Sequence, residues 1–303
     1  MTAGAPEAAG LLDDAAFIPP RAGYELVITS DAVVEGVHFL AEDAPDLVAR
    51  KLLRVNLSDL AAKAAEPYGY LLTVAWPHRW GASERAGFAR GLAHDQGLYG
   101  IRLLGGDTVS TPGPMTASVT ALGYAPEGRS VRRAGARPGD QVFVSGTIGD
   151  GWLGLQAARG ELQALGSAAA PLAERYRLPQ PRLNLRAWLL EHASACADVS
   201  DGLVADLGHV AAASGVAAEI DLEAIPLSQG ARLWLETQPN PTEGLAALVT
   251  GGDDYELVFT AQRPSSFGDT PVTAIGRVRE GRGVTVRSGG RVVSLARTGW
   301  RHP

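Results

Sequence analysis

The chain has 303 residues, 46% of them hydrophobic and 20% charged, enough for one large domain or two ordinary ones. A formal net charge of −6 excludes the basic face that generic nucleic-acid binding needs, and a single cysteine, Cys196, excludes an internal disulfide or a cysteine-built metal site. No run approaches the roughly 18 apolar residues of a membrane helix, and the start lacks a basic region followed by an apolar one, so a cytoplasmic protein without membrane or nucleic-acid partners is expected.

In chain order, "ELVITSD" (25–31) reads as a strand, and "LLRVNLSDLAAKAAEP" (52–67) reads as an amphipathic helix, part of one over 46–64. A second strand, "YLLTVAW" (70–76), precedes a helix at about 82–95. "IRLLGG" (101–106) and the alternating "MTASVTALGY" (115–124) follow as strands. The polar segment 125–140, with Pro126, Gly128, Pro138 and Gly139, marks a boundary between a domain at 1–130 and one at 131–303. In the second domain "QVFVSG" is a strand and "WLGLQAARG" a helix, and the stretch after it reads as a loop or helix-poor insertion. "ACADVS" is a strand leading into the helix "DGLVADLGHVAAAS". "AAEIDLE", "YELVFTA", "VTAIGRV", "GVTVRS" and "RVVSLA" are further strands. The alternation predicts an α/β (α+β) fold. "NLSDLAA" echoes "DVSDGLVADL", and "LLGGDT" echoes "VTGGDD", as a duplicated plan would; common turn chemistry explains the second pair equally well.

There is no P-loop, no zinc-protease motif and no serine-hydrolase elbow. "GDGWLG" (149–154) fits a dinucleotide fingerprint on entry, but no acidic strand end follows about twenty residues on; a glycine turn capping a helix fits better. "GGDDYEL" has a four-residue likeness to the GG[DE]EF signature of diguanylate cyclases, without that family's surroundings. Aspartates, by contrast, recur, several of them directly after an apolar strand: Asp13 and Asp14 ahead of a short apolar run, Asp31 after Thr29 and Ser30, Asp59 inside an apolar helix, Asp107, Asp198 and Asp201, Asp253 and Asp254. Each alone reads as a helix cap or turn residue. Gathered together they would repel, and hard cations such as Mg²⁺ would be needed to hold them. Magnesium in turn points to phosphoryl chemistry, and it lets an acidic chain with only two lysines bind polyphosphates. Arg132 and Arg133 are supplementary cations.

The motifs "LLDDAAF", "ITSDAVVEGVHF", "VNLSDLAAKAAEP", "LLGGDT", "SVTALGYAPEGRSVRRAGARPGD", "VSGTIGD", "DVSDGLVADLGHVAAASG" and "GGDDYELVFT" occur in that order. From about Leu11 onward the chain resembles the thiamine-monophosphate kinases of the PurM-like superfamily. The resemblance implies ATP- and Mg²⁺-dependent phosphorylation of thiamine monophosphate to the diphosphate. It implies two α/β domains: an N-terminal mixed sheet pairing across a homodimer, and a C-terminal α/β sandwich. Residue by residue, Asp13, Thr29, Ser30, Asp31, Asp59, Asp107, Asp198 and Asp201 match metal ligands, with Asp31, Asp59 and Asp107 at the reacting centre. Gly106, Asp107, Arg133 and Ser200 match nucleotide contacts. His38, Asp253 and Trp300 match substrate contacts. Another PurM-like phosphoryl transferase or synthetase, or a nucleotide-binding scaffold without turnover, is the alternative. The family opens with a Gly-Glu-Phe segment, whereas this chain begins shortly before "LLDD". Leu12 stands where the family has glycine, and Asp253 where it has glutamate.

Overall fold

The computed structural model describes residues 2, 4–262 and 270–300. The three residues after Trp300 lie outside them. The chain divides into two compact units, one of residues 1–60 and 65–130, the other of 61–64 and 131–303.

The first unit runs β1 (Tyr24–Val34), α1 (Pro45–Ala62), β2 (Glu66–Pro77), α2 (Ala82–Tyr99), β3 (Arg102–Thr111) and β4 (Thr116–Pro126), after a 3₁₀ turn at Pro6–Leu11. The sheet order is β1-β4-β2-β3. Only β2 and β3, joined by the α2 crossover, are parallel. Strand β4 therefore comes between β1 and β2, and β1 and β3 form the two edges.

Helices α1 and α2 pack together on one face. A Cβ at Gly91 would stand 2.2 Å from the Asp46 carbonyl oxygen, so glycine permits this close approach. The buried Asp95 carboxylate of α2 accepts from Arg54 of α1 at 2.6 and 3.1 Å and from Arg50 at 3.2 Å. Leu52, Leu53, Leu57 and Leu60 of α1 are all fully buried. Each contributes about 2 kcal/mol. The opposite face of the sheet is open: Leu26 and Ile28 of β1, Leu71 of β2 and Val109 of β3 are all exposed, Ile28 by 59%.

The second unit holds β5 (Gln141–Ser145), α3 (Asp150–Ala158), α4 (Ala169–Arg177), α5 (Arg186–His192), β6 (Ala193–Asp198), α6 (Leu203–Ser214), β7 (Ala217–Asp221), α7 (Gln229–Glu236), α8 (Pro241–Val249), β8 (Leu257–Ala261), β9 (Val272–Arg279), β10 (Gly283–Ser288) and β11 (Arg291–Val292). Its seven-stranded sheet has the order β11-β10-β7-β9-β5-β8-β6. The main core cluster includes Val142, Val144, Leu203, Leu207, Val258 and Ile275. The supposed insertion after α3 is helical at α4, because Leu172 and Tyr176 pack on Gly154 of α3. The two sequence echoes occupy unlike places. "LLGGDT" lies within a strand, "VTGGDD" at a helix end, so they carry no repeated plan.

Candidate active site

In the first unit the alternation of β1 decides which side chains meet. Thr29 and Asp31 face α1. The Thr29 hydroxyl donates to Asp59 Oδ2, and the Asp31 N–H donates to the Asn56 side-chain oxygen at 3.0 Å. Asn56, fully buried, donates in turn to the Leu52 carbonyl at 2.9 Å. Residues 51–58 and 60 of α1 are buried, whereas Asp59 is only half-buried. The aspartate is therefore not part of a solvated helix face. Ser30 points the other way: its hydroxyl donates to the Val119 carbonyl at 3.1 Å on the open face, so its side chain does not join Asp59.

The turn after β1 carries His38. Its Nδ1 accepts the Val34 N–H at 3.1 Å, which makes the neutral ring the Nε2–H tautomer. Glu35, two residues after Val33, ties this turn to Met115 N–H at 3.2 Å and to Arg79.

Gly106 has φ 147°, and a Cβ there would fall 1.8 Å from the Leu72 carbonyl oxygen; only glycine fits. Asp107 is exposed and accepts the Thr108 N–H at 2.8 Å. Register places it in the row Ala32, Ser118, Thr73, Asp107, at the edge opposite Asp31. Three strand spacings separate these edges, about 14 Å. Asp13 lies on an exposed segment, where its Oδ1 accepts the Asp14 N–H at 2.8 Å.

In the second unit Ser200, Asp201, Asp253 and Trp300 are joined through the main chain. Strand β6 ends at the buried Asp198, and the turn Val199–Gly202 leads into α6. Asp253 N–H donates to the Ser200 carbonyl at 2.7 Å, and Trp300 N–H to the Asp201 carbonyl at 2.7 Å. Asp201, His209 and Trp300 line a cavity of about 640 Å³ walled by Val204, Val284 and Val286. Arg133 is exposed on the loop before β5, its carbonyl accepting from Ser214 Oγ at 3.1 Å.

Asp206, which the sequence reading passed over, organises the turn. Its Oδ2 accepts the N–H groups of Ser200, Asp201 and Gly202 at 3.0, 3.1 and 3.2 Å. Burial, then the Asp201 charge, push its carboxyl up to about 7 against those three donors. Asp201, Asp206 and His209 are, among the described residues, the one group of three such side chains with ligand atoms all within 4.8 Å. The carboxylates of the first unit are not gathered in that way.

The glycine-rich "GDGWLG" opens α3, but its N-terminus is already filled. The Gly149 and Gly151 N–H groups donate to the Asp254 carboxylate at 2.8 and 2.9 Å. A helix N-terminus suited to a phosphate thus holds the chain's own carboxyl group. Burial raises the Asp254 carboxyl to about 8.

Family models for AIR synthase related proteins match the chain, the N-terminal domain over residues 12–125 and the C-terminal domain over 137–289. A thiamine-monophosphate kinase of Caulobacter vibrioides is 54% identical over 310 residues, covering all of this chain and 87% of that protein. The chain belongs to the thiamine-monophosphate kinase family. Two solved structures of the family agree. One, from Stenotrophomonas maltophilia K279a, has a TM-score of 0.83 at 38% identity, covering 94% of this chain and 91% of that one. The other, AaThiL complexed with AMPPCP and TMP, has a TM-score of 0.85 at 35% identity, covering 96% and 91%. The kinase family shares a PurM-like α/β architecture with hydrogenase maturation protein HypE, whose likeness at 17% identity and TM-score 0.73 concerns the fold alone.

Proposed function

We propose that the chain transfers the γ-phosphoryl group of ATP to thiamine monophosphate, giving thiamine diphosphate. The observation that carries this reading is the turn at 198–201. There the nucleotide-type Ser200 and metal-type Asp201 are tied by main-chain bonds to Asp253 and Trp300, the substrate-type residues.

The acceptor is a phosphate, already an anionic nucleophile, so no strong general base is needed. The barrier lies in bringing two polyanions into line. In residues 1–130, Asp13, Thr29, Ser30, Asp31, Asp59 and Asp107 would hold Mg²⁺; in 131–303, Asp198 and Asp201. These donors are all oxygens, as a hard cation prefers, and Asp59 is the half-buried residue on an otherwise buried stretch of helix. Several Mg²⁺ ions, when bound, neutralise the phosphates and polarise the transferring group. Gly106, Arg133 and Ser200 contact the nucleotide. The His38 ring donates from Nε2 to the acceptor phosphate, Asp253 faces the substrate, and the Trp300 indole lies against the cationic thiamine rings. Among the described residues no helix is long and apolar enough to cross a membrane, in keeping with work in the cytoplasm. A coupled assay with ATP, Mg²⁺ and thiamine monophosphate tests the reading; no thiamine diphosphate at saturating Mg²⁺ refutes it.

The active form is a homodimer built on the open sheet face. Leu26, Ile28, Leu71 and Val109 leave that face apolar and uncovered. Asp31 and Asp107 sit on opposite edges, too far apart for one chain to bring both to a single ion. A two-fold pairing that sets β1 of one copy beside β3 of the other brings these two edges together. Ile28→Arg should yield monomers by light scattering; an unchanged dimer speaks against this face.

A further inference from the structure

Glu256 is fully buried, and both its oxygens are bound. Arg182 grips it as a fork, Nε to Oε2 at 2.6 Å and a terminal nitrogen to Oε1 at 2.5 Å. Arg175 donates to Oε1 at 2.7 Å and to the Asp254 carbonyl at 3.1 Å. Ser145 donates to Oε2 at 2.6 Å and accepts the Leu257 N–H at 2.8 Å. None of these four residues belongs to the metal, nucleotide or substrate sets named above. Buried ion pairs of this kind add little net stability, because desolvation offsets the attraction. What a bidentate, fully bonded carboxylate supplies is a fixed geometry.

The geometry it fixes is that of residues 251–256. This loop turns through three left-handed residues, Gly252 at φ 78°, Asp253 at 65° and Tyr255 at 52°. Two of them carry a Cβ and persist in that region only when their surroundings impose it. On one side, main-chain bonds lock the loop to the turn before α6: Asp253 N–H to Ser200 O at 2.7 Å, Tyr255 N–H to Val199 O at 2.8 Å, Val199 N–H to Glu256 O at 2.8 Å. Gly252 lies so close that a Cβ would meet the Ser200 carbonyl oxygen at 2.6 Å. On the other side stands the Glu256 node, reaching the loop from α4, from the segment before α5 and from the end of β5.

We propose that Glu256, held by Arg175, Arg182 and Ser145, is the positioning residue that sets Asp253 against the Ser200–Asp201 turn and thereby sets affinity for the phosphate acceptor. This rests on the reading of Asp253 as a substrate contact. Asp253 is one methylene shorter than glutamate, so its reach depends on where the backbone puts it.

The test is steady-state kinetics on Glu256→Gln, which keeps the shape and removes the charge, and on Arg182→Lys, which keeps the charge and removes the fork. Each raises KM for thiamine monophosphate about tenfold, the effect of one lost charge-assisted hydrogen bond. The kcat and the KM for ATP stay within about twofold. In an Asp253→Ala background, Glu256→Gln adds nothing to the acceptor KM. Wild-type KM in either folded variant, or an increment that adds in full to that of Asp253→Ala, overturns the proposal. So does an equal loss in kcat and both KM values, the mark of a merely structural role. Should Glu256→Gln fail to fold by circular dichroism, Arg182→Lys and Arg175→Lys decide by the same criteria. Failure of the kinase reading looks different: the wild-type chain then makes no thiamine diphosphate, and the proposal goes with it.

Discussion

Mixing two inactive variants should restore activity if Asp31 and Asp107 serve one centre from different copies. The two residues lie on opposite edge strands, about 14 Å apart across β4 and β2. An Mg²⁺ ion with two ligands spans only about 4 Å. Asp31→Asn and Asp107→Asn, each made alone, should lose activity by about 100-fold or more. Co-refolded in equal amounts, half of the dimers are hybrids. Each hybrid has one centre with both substitutions and one with neither, so the mixture recovers about one quarter of wild-type activity. The structure supplies its own control. Thr29 of β1 donates to Asp59 within one chain, and Asp31 shares that strand face, so Asp31→Asn mixed with Asp59→Asn should recover nothing. Activity is followed by thiamine diphosphate formation, and hybrid content by a tag on one partner. If the first mixture stays at the sum of its parts while hybrids are present, the shared-centre reasoning fails.

Asp59→Asn should lower kcat by about 100-fold or more while circular dichroism and melting temperature hold, since the residue is half-buried and bonded through a single hydroxyl; wild-type turnover would remove Asp59 from the centre. Gly106→Ala must push a methyl against the Leu72 carbonyl at a φ of 147°, and should destabilise by about 3 kcal/mol in a urea titration. The Asp254 carboxyl, raised to about 8 in the fold, ionises near 3.9 when unfolded. Its folded form therefore keeps a proton that the unfolded chain has lost, and stability from this group, full below about pH 4, falls by up to about 1.4 kcal/mol per unit until pH 8. Asp254→Asn should flatten that decline in melting temperature; a slope identical to wild type would show the carboxyl ionised throughout.

How legible the site was depends on the range of the interactions. Asp59 stood out because Asn, Ser and Asp interrupt an apolar helix; Asn56 meets the Asp31 N–H, Asp59 meets the Thr29 hydroxyl, and Ser58 is buried. The strand end at Asp198 followed from local patterning, whereas β1 runs on to Val34 and leaves Asp31 inside the strand rather than at its end. The side of the sheet that Ser30 faces needed the partner strand, since Val119 lies 89 residues away. Strand order was beyond reach for the same reason: nothing local says that β4 inserts between β1 and β2, and this insertion separates Asp31 from Asp107. Glu256 and its arginines are 74 to 81 residues apart, so no spacing linked them. The short helices α5, α7 and α8 escaped notice because seven to nine residues give the period too little length to show.

Helix α1 is buried on every side over residues 51–58, and this has a consequence for how the protein breathes. Amides in such a segment exchange with deuterium only through large-scale opening, because no solvent-facing side frays first. Asp59 is thus carried on one of the slowest-exchanging parts of the first unit. A phosphate centre that uses Asp59 would therefore rest on backbone that is ordered before any ligand arrives.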